Sequence, residues 1–292
     1  MREVRVDPLY FDDPEVADYV SALGARLLGG AEGPRRDLGF FVVQDDAVNA
    51  FALVGGFIGV HTGLVTLTHN ESELAGVLAH EIAHIVQRHQ ARTMHGASRA
   101  SWASLAALAV AILASRGASS SQSGQITEAA VASVSAFQIQ NMLDYTREHE
   151  READRVGLTI LERTGFDSRG MAGFFERLLR SNRLNEFKGA PSYLRTHPLT
   201  TERIADIQDR IQASPTRMVP DSFEYRLVRA RLRALAGSPT EAVTLFRTSL
   251  EDKTVVRPRE EVYGMALALR RAREFDAAWN TLAPLRQGSA MP

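Results

Sequence analysis

Two histidines and a glutamate stand within five residues of one another, at His80, Glu81 and His84. The surrounding residues 71–86 carry apolar side chains at spacings of three and four, which predicts a helix. Residues four apart share a helix face, so both imidazoles can bind one cation while Glu81 projects beside them. Two neutral nitrogen ligands leave a zinc ion strongly Lewis acidic, and a neighbouring carboxylate can accept a proton from water. The motif therefore predicts zinc-dependent hydrolysis.

The apolar setting of this motif argues against a chance pattern on a solvated surface. In the segment LAGVLAHEIAHIVQ, Glu81 is the one acidic or basic residue. Two imidazoles and a carboxylate are costly to bury unless a metal or hydrogen bonds satisfy them. A metal site inside the fold satisfies all three groups at once.

The remaining ligand of the zinc must come from another part of the chain. The sequence has 0 cysteines, so only His, Asp and Glu can hold a metal. Gln87 and Gln90 occupy the positions at which a metzincin has Gly and a third His, which excludes that class. Glu150 and Asp154 lie one turn apart on a predicted helix. Either carboxylate could reach the zinc while the other orients a ligating imidazole.

Taken together, these motifs resemble those of a known family. HExxH followed by an ExxxD motif with a small residue before the Asp is similar to the gluzincin peptidases of the CAAX prenyl protease and HtpX group. The match continues in Thr196-His197-Pro198 and Arg203, which resemble a His-Pro element ahead of a helix. Within this group, the chain looks most like the soluble branch that carries tetratricopeptide repeats.

The resemblance implies a role for each residue of the two motifs. His80, His84 and Glu150 would bind one Zn²⁺, Glu81 would act as general base, and Asp154 would orient a ligand from behind. We therefore expect a zinc metalloendopeptidase.

His197 has three interpretations at this stage. In the resembling branch, the corresponding histidine can cap the zinc as a fourth ligand and silence the enzyme, or it can stabilise an oxyanion as a catalytic residue. It could also be a loop histidine that is simply hydrogen-bonded.

The residues Asn49, Ala50 and Phe51 begin a predicted strand ahead of the zinc helix. Related peptidases hold substrate in extended form on such an edge strand, where backbone pairing binds polypeptides with little regard to side chain. We assign Asn49, Ala50, Phe51 and Arg203 to substrate binding. The competing interpretation is an ordinary sheet strand.

The other histidines receive no role in the site. His89 and His95 fall off the ligand face and are predicted to be solvated. No spacing argument assigns a function to His61, His69 or His149.

The elements around these residues predict an α+β fold that is mostly α. A helix over 14–28 follows Asp13, and three short strands at 40–44, 49–54 and 57–61 are typical of a small meander. Further helices are predicted over 142–164, 168–182 and 200–212, with an irregular stretch before the last. The resemblance implies that these elements form a gluzincin-type metallopeptidase domain over residues 1–214.

Residues 100–143 hold two uncharged apolar stretches joined by a Gly/Ser/Gln-rich linker. Each is shorter than the ~18 to 20 residues that span a bilayer. They form either a packed helix pair or a lid that contacts the membrane peripherally.

Residues 215–292 repeat themselves at a spacing of 35, which is close to the ~34 of tetratricopeptide helix pairs. This predicts a helical repeat region that could recruit outer-membrane assembly machinery. Its arginines at 226, 229, 231 and 233 are interpreted as a solvated face.

The charge balance bears on partners. With 34 basic and 35 acidic residues, the chain lacks the excess of Lys and Arg that nucleic-acid binding needs. Polypeptides are therefore the expected substrates. The resemblance implies a periplasmic protein whose signal peptide is absent from this sequence. If the sequence is complete, a cytoplasmic location is expected instead. Two rival functions remain open, a chaperone-like adaptor with a silenced zinc and a hydrolase of non-peptide amides.

Overall fold

The computed structural model describes residues 9–33, 37–53, 55–93, 146–184, 191–212, 217–252 and 258–287. The predicted hairpin at 100–143 and His95 lie outside the described residues. Among the helices of these ranges, none is both long and apolar enough to cross a bilayer. The expected fold class is confirmed, because helices dominate and one small sheet accompanies them.

Helix α1, Pro14–Leu28, begins as the sequence predicts. The Asp13 side chain accepts a hydrogen bond from the Val16 amide at 3.3 Å, and Pro14 occupies the first turn, where its missing N–H costs nothing. The apolar face of α1 packs against the sheet and the zinc-motif helix.

The sheet has three strands, β1 Gly39–Val43, β2 Ala50–Leu53 and β3 Phe57–His61, in the order β1-β3-β2. The predicted meander is therefore wrong, because β1 pairs in parallel with β3 and not with β2. Burial explains the order: Ile58 and Val60 of β3 are fully buried, so β3 takes the centre, whereas Leu53 of β2 is exposed. Strand β2 is consequently an edge strand.

Two helices follow the sheet, α2 Thr62–Leu67 and α3 Glu71–Val86, which carries the zinc motif. Asn70 caps α3 by accepting a hydrogen bond from the Glu73 amide at 3.0 Å. Every residue of α3 from Glu71 to Ala83 is buried, so this helix is the centre of the molecule and not a one-sided amphipathic helix. A short helix α4 covers residues 89–93.

Four further helices surround α3. The predicted helices are present, although α5 is described only from residue 146, and α7 replaces part of the stretch predicted to be irregular. They are α5 over 146–164, α6 Arg169–Leu184, α7 Ser192–Thr196 and α8 Thr201–Gln212.

The residues described after 216 form five helices: α9 Phe223–Leu235, α10 Pro239–Glu251, α11 Pro258–Arg271, α12 Phe275–Thr281 and α13 Ala283–Gln287. Helices α9 and α11 begin 35 residues apart, as the predicted repeat requires. The tetratricopeptide assignment itself stays a prediction.

Helix α9 joins two hydrophobic clusters. Tyr225, Val228 and Leu232 belong to the main core, whereas Ala230 and Ala234 belong to the core of the C-terminal helices. The predicted division between 1–214 and 215–292 thus separates helices that share a core, and it stays a prediction.

The arginines of α9 do not form a solvated face, so that interpretation is wrong. Each is partly buried and bonded: Arg226 to Glu260 at 2.6 Å, Arg229 to the Thr66 carbonyl at 3.4 Å, Arg231 to Asp13 at 2.7 Å and Arg233 to Glu261 at 2.7 Å.

Candidate metal centre

The middle of α3 presents the two histidines of the motif side by side. The Nε2 atoms of His80 and His84 lie 3.0 Å apart. His80 and Glu81 are buried, and the His84 side chain is 12% exposed. The helical spacing of four therefore produces the pair of converging nitrogens that the sequence predicted.

Glu150 of α5 completes a three-residue group with them. Its carboxylate oxygens lie 3.4 Å from His80 Nε2 and 3.3 Å from His84 Nε2. Helix α5 comes this close because Gly157 has no side chain: an added Cβ would lie 2.9 Å from the Met171 side chain and 3.3 Å from the His80 amide nitrogen.

His197, directly after α7, is the fourth member. Its Nδ1 lies 3.1 Å from Glu150 and 3.4 Å from His80 Nε2. The Tyr193 carbonyl accepts a hydrogen bond from the His197 amide at 2.8 Å, and the two rings stack with centroids 4.7 Å apart. Helix α7 thus holds the imidazole over the site.

The donor atoms of His80, His84, Glu150 and His197 all lie within 4.8 Å of one another. Ligand atoms at the 2.0–2.1 Å bond lengths of tetrahedral zinc are separated by about 3.3 Å. Five contacts among these atoms, counting both oxygens of Glu150, are 3.0–3.4 Å long and are close to this separation. Three imidazoles and a carboxylate are also ligands that zinc accepts, so the residues present fit the ion.

Behind the donor group, Asp154 and Arg203 form a second layer. Asp154 lies 3.0 Å from His80 Nδ1, which fixes that ring with Nε2 facing the centre. Arg203 bonds both oxygens of Asp154 at 2.8 Å and reaches Glu150 at 2.9 Å. Its side chain is only 3% exposed. The guanidinium therefore lies beneath the carboxylates and away from solvent.

The surroundings shift the pKa values of His80, His84 and Glu150 in different ways. Burial lowers the pKa of His80, but hydrogen bonds with Asp154 and Glu150 outweigh it and raise this pKa to about 10. Burial lowers the pKa of His84 to about 3, which keeps that ring neutral. Burial would raise the pKa of Glu150, yet hydrogen bonds from His197, His80 and His84 hold it well below its usual range. A cation would take the place of the proton that these surroundings favour on His80.

Glu81 lies beside His197 and strand β2. One of its oxygens lies 3.4 Å from His197 Nε2, and the backbone of Ala52 in β2 hydrogen-bonds the carboxylate. Burial raises the pKa of Glu81. A carboxylate with a raised pKa, placed beside the donor group, suits a general base.

The edge of β2 runs past this carboxylate. The Ala52 carbonyl accepts a hydrogen bond from the Gln90 side chain at 2.8 Å, and the Val48 carbonyl accepts one from the Tyr193 amide at 3.1 Å. Asn49 instead bonds His61 of β3. The backbone groups that face the site are thus those of Val48 and Ala52.

His89 corrects the prediction that it is solvated. Only 3% of the residue is exposed, and its Nδ1 lies 2.9 Å from Nδ1 of His84. The ring of His149 stacks on it at 4.2 Å with an angle of 7°. Both histidines belong to the surroundings of the site.

The structure brings His80, Glu81, His84 and Glu150 together, as the two motifs predict. Asp154 and Arg203 lie behind them. Ala50 and Phe51 lie on the neighbouring strand β2 and Asn49 directly precedes it, so their substrate role stays a prediction, as does that of Arg203. Sequence reasoning missed the contacts of His89, Gln90 and Tyr193 with the site, whereas it placed Ala52 in the candidate substrate strand. The tail of HEIAHIVQRHQ was a signal for His89 and Gln90, but a straight helix projection points these residues away from the ligands.

Comparison with known proteins places this arrangement in context. The sequence profile of Peptidase family M48 matches residues 14–211. The beta-barrel assembly-enhancing protease of Escherichia coli (strain K12) is 35% identical over 286 residues, which are 98% of this chain and 57% of that protein. The chain therefore spans little more than half the length of that relative.

Two other relatives are similar over about two thirds of the chain. The metalloprotease YcaL of Escherichia coli (strain K12) is 32% identical over 68% of this chain and 73% of its own length. The mitochondrial metalloendopeptidase OMA1 of Schizosaccharomyces pombe is 29% identical over 65% of this chain and 52% of its own length.

Proposed function

Because the chain belongs to Peptidase family M48, we propose that it is a zinc metalloendopeptidase. The observation that carries the proposal is the group of four converging donor atoms from His80, His84, Glu150 and His197, with Glu81 beside it. His80, His84 and Glu150 are the ligands, and a bound zinc ion would supply Lewis acidity toward a peptide carbonyl and toward water.

The residues of the chain then divide the work. Glu81 accepts a proton from the attacking water and delivers it to the leaving amine, for which its raised pKa is suited. Asp154 keeps the hydrogen of His80 on Nδ1, so that Nε2 stays directed at the centre. Arg203 neutralises the two buried carboxylates and fixes their orientation. Its position supports this role better than contact with substrate.

Substrates would be polypeptides in extended form. An edge strand binds a peptide through backbone groups, and β2 is an edge strand that passes the Glu81 carboxylate. Asn49 directly precedes this strand, and Ala50 and Phe51 belong to it. Substrate would pair with the outward-facing carbonyl of Ala52 by displacing the Gln90 side chain. This feature weighs against a hydrolase of non-peptide amides.

The activity would be self-inhibited by His197. A catalytic zinc needs one exchangeable position, whereas His197 places its Nδ1 among the other three ligands and its Nε2 near Glu81. With His197 bound, the group supplies four protein donors and leaves no position for water. Movement of α7 with its histidine would open the site to water and substrate.

The setting would be the bacterial envelope, with misassembled outer-membrane proteins as substrates and a periplasmic location. The similarity to a beta-barrel assembly-enhancing protease supports this proposal. The C-terminal helices would contact the assembly machinery, and residues 100–143 are the candidate for peripheral membrane contact. A chaperone-like adaptor with a silenced zinc is the second candidate, and the observation that favours it is the arrangement of four protein donors.

Casein hydrolysis by the wild type and by His197→Ala, each with and without a zinc chelator, tests the proposal. We expect the variant to cleave faster than the wild type, the chelator to abolish cleavage, and added zinc to restore it. Chelator-resistant cleavage would contradict the zinc mechanism, and inactivity of both proteins with zinc bound would favour the adaptor.

A further inference from the structure

A chain of polar contacts leads from the ligand His84 away from the metal centre. Nδ1 of His84 lies 2.9 Å from Nδ1 of His89, and Nε2 of His89 lies 3.2 Å from a carboxylate oxygen of Glu152. The same oxygen accepts a hydrogen bond from Arg92 at 2.7 Å. This series of contacts therefore ends in an ion pair at the surface.

The donor and acceptor roles along this chain follow from the ligand atom. If His84 binds metal through Nε2, the hydrogen of its neutral ring is on Nδ1 and is donated to His89. His89 must then accept at Nδ1 and carry its own hydrogen on Nε2, where Glu152 accepts it. Each contact has one donor and one acceptor, so the arrangement is consistent from the metal to the surface.

The fold holds His89 in place for this contact. Helix α3 ends at Val86, and Arg88 adopts a left-handed conformation with φ of 55°, which turns the chain back toward α3. The ring of His89 is buried, and His149 of α5 stacks on it. A buried ring with a stacking partner and both nitrogens engaged has little freedom to leave His84.

We propose that His89, supported by Glu152, is a positioning residue that fixes the orientation and tautomer of the metal ligand His84. The proposal rests on the zinc site proposed above. It gives each ligating histidine of α3 its own partner, with Asp154 bonded directly to His80 and Glu152 acting on His84 through an intervening imidazole. The sequence HEIAHIVQRH thus carries three residues of the metal centre and one residue that orients it.

Zinc affinity, measured on the full chain by competition with a chromogenic chelator, tests the role of His89. His89→Leu keeps an apolar side chain of similar size but removes the acceptor, and should weaken zinc binding about 10- to 100-fold. His89→Asn places an amide oxygen near the position of Nδ1 and should retain most of the affinity. Glu152→Gln should weaken binding less than His89→Leu does.

The visible absorption spectrum of the Co²⁺-loaded protein gives a second readout. His89→Leu should change the bands that report ligand geometry, whereas His89→Asn should leave them close to those of the wild type. His61→Leu is the matched control, because His61 is a buried histidine of β3 in the same core with no contact to a ligand.

Three results would overturn the proposal. They are wild-type zinc affinity in His89→Leu, equal losses in the Leu and Asn variants, and an equal loss in His61→Leu. If the wild-type protein itself fails to bind zinc, the proposed function fails first, so the two failures are distinguishable.

Discussion

At the scale of single residues, two buried carboxylates share one cation beneath the metal centre. Arg203 bonds Asp154 through two nitrogens and Glu150 through Nη1, and all three side chains are at most 4% exposed. Charges buried in this way stabilise a fold only while each has its partner. Arg203 is therefore expected to matter for stability even in the absence of metal.

The first prediction concerns this arginine. Arg203→Met should lower the free energy of unfolding of the metal-free protein by about 3–5 kcal/mol, because two buried carboxylates lose the guanidinium that pairs with both, and protonated His80 does not replace it. Urea unfolding followed by circular dichroism measures the change. Arg210→Met is the control, since Arg210 is 46% exposed and pairs with Asp206 on the surface of α8, and it should cost at most about 1 kcal/mol. Equal losses would show that Arg203 has no special role.

At the scale of elements, two glycines of helix α6 differ in how closely neighbouring backbone approaches them. A Cβ added to Gly170 would lie 2.5 Å from the Ser72 backbone, whereas one added to Gly173 would meet nothing within 4 Å. Substituting alanine at these two positions of one helix is therefore expected to change the stability in opposite directions.

Gly170→Ala should destabilise the protein by roughly 1–3 kcal/mol, because the start of α6 must move away from α3. Gly173→Ala should instead stabilise it by about 0.5–1 kcal/mol, since alanine has the higher helix propensity and the space is open. Thermal unfolding of both variants decides this. A stabilising Gly170→Ala would mean that the two helices are not in such close contact.

The same scale shows where sequence reasoning stopped. Helical spacing was enough to place His80 and His84 together, and the start of α1 followed from Asp13 and Pro14. It did not place His89, because α3 ends at Val86 and the left-handed Arg88 redirects the chain. Sequence reasoning also failed to predict the strand order. Adjacency in the sequence favours a meander, but the burial of β3 places that strand at the centre of the sheet. Glu150 and Asp154 could be paired by spacing, but only the packing of α5 on α3 distinguishes the ligand from its supporting partner.

At the scale of the whole molecule, Glu71 at the start of α3 connects three regions. Its carboxylate accepts hydrogen bonds from the Tyr19 hydroxyl at 3.0 Å, the Ser222 amide at 2.9 Å and the Ser222 hydroxyl at 2.7 Å. Asp221 in turn accepts a hydrogen bond from the Glu71 amide at 2.8 Å. Together with the shared core of α9, these contacts couple the C-terminal helices to the metal-bearing part.

Glu71→Ala should therefore destabilise both parts together, by about 3 kcal/mol, since hydrogen bonds to a buried charge are lost. In a Trp102→Phe background, the remaining tryptophan, Trp279 of α12, reports on the C-terminal helices, while circular dichroism reports on the whole chain. Both transitions should shift equally and stay coincident. Glu251→Ala, at the exposed end of α10, is the control. A shift in circular dichroism alone would show that the two parts unfold independently.

The measurement that tests the central claim most directly is casein cleavage by His197→Ala and by the double variant His197→Ala/Glu81→Gln, with the zinc content of each. We predict that the single variant cleaves casein, that the double variant loses at least about 100-fold in rate, and that both retain one zinc ion. Removing the Glu81 carboxylate takes away the general base but none of the metal ligands. Cleavage at an unchanged rate by the zinc-loaded double variant would contradict the account.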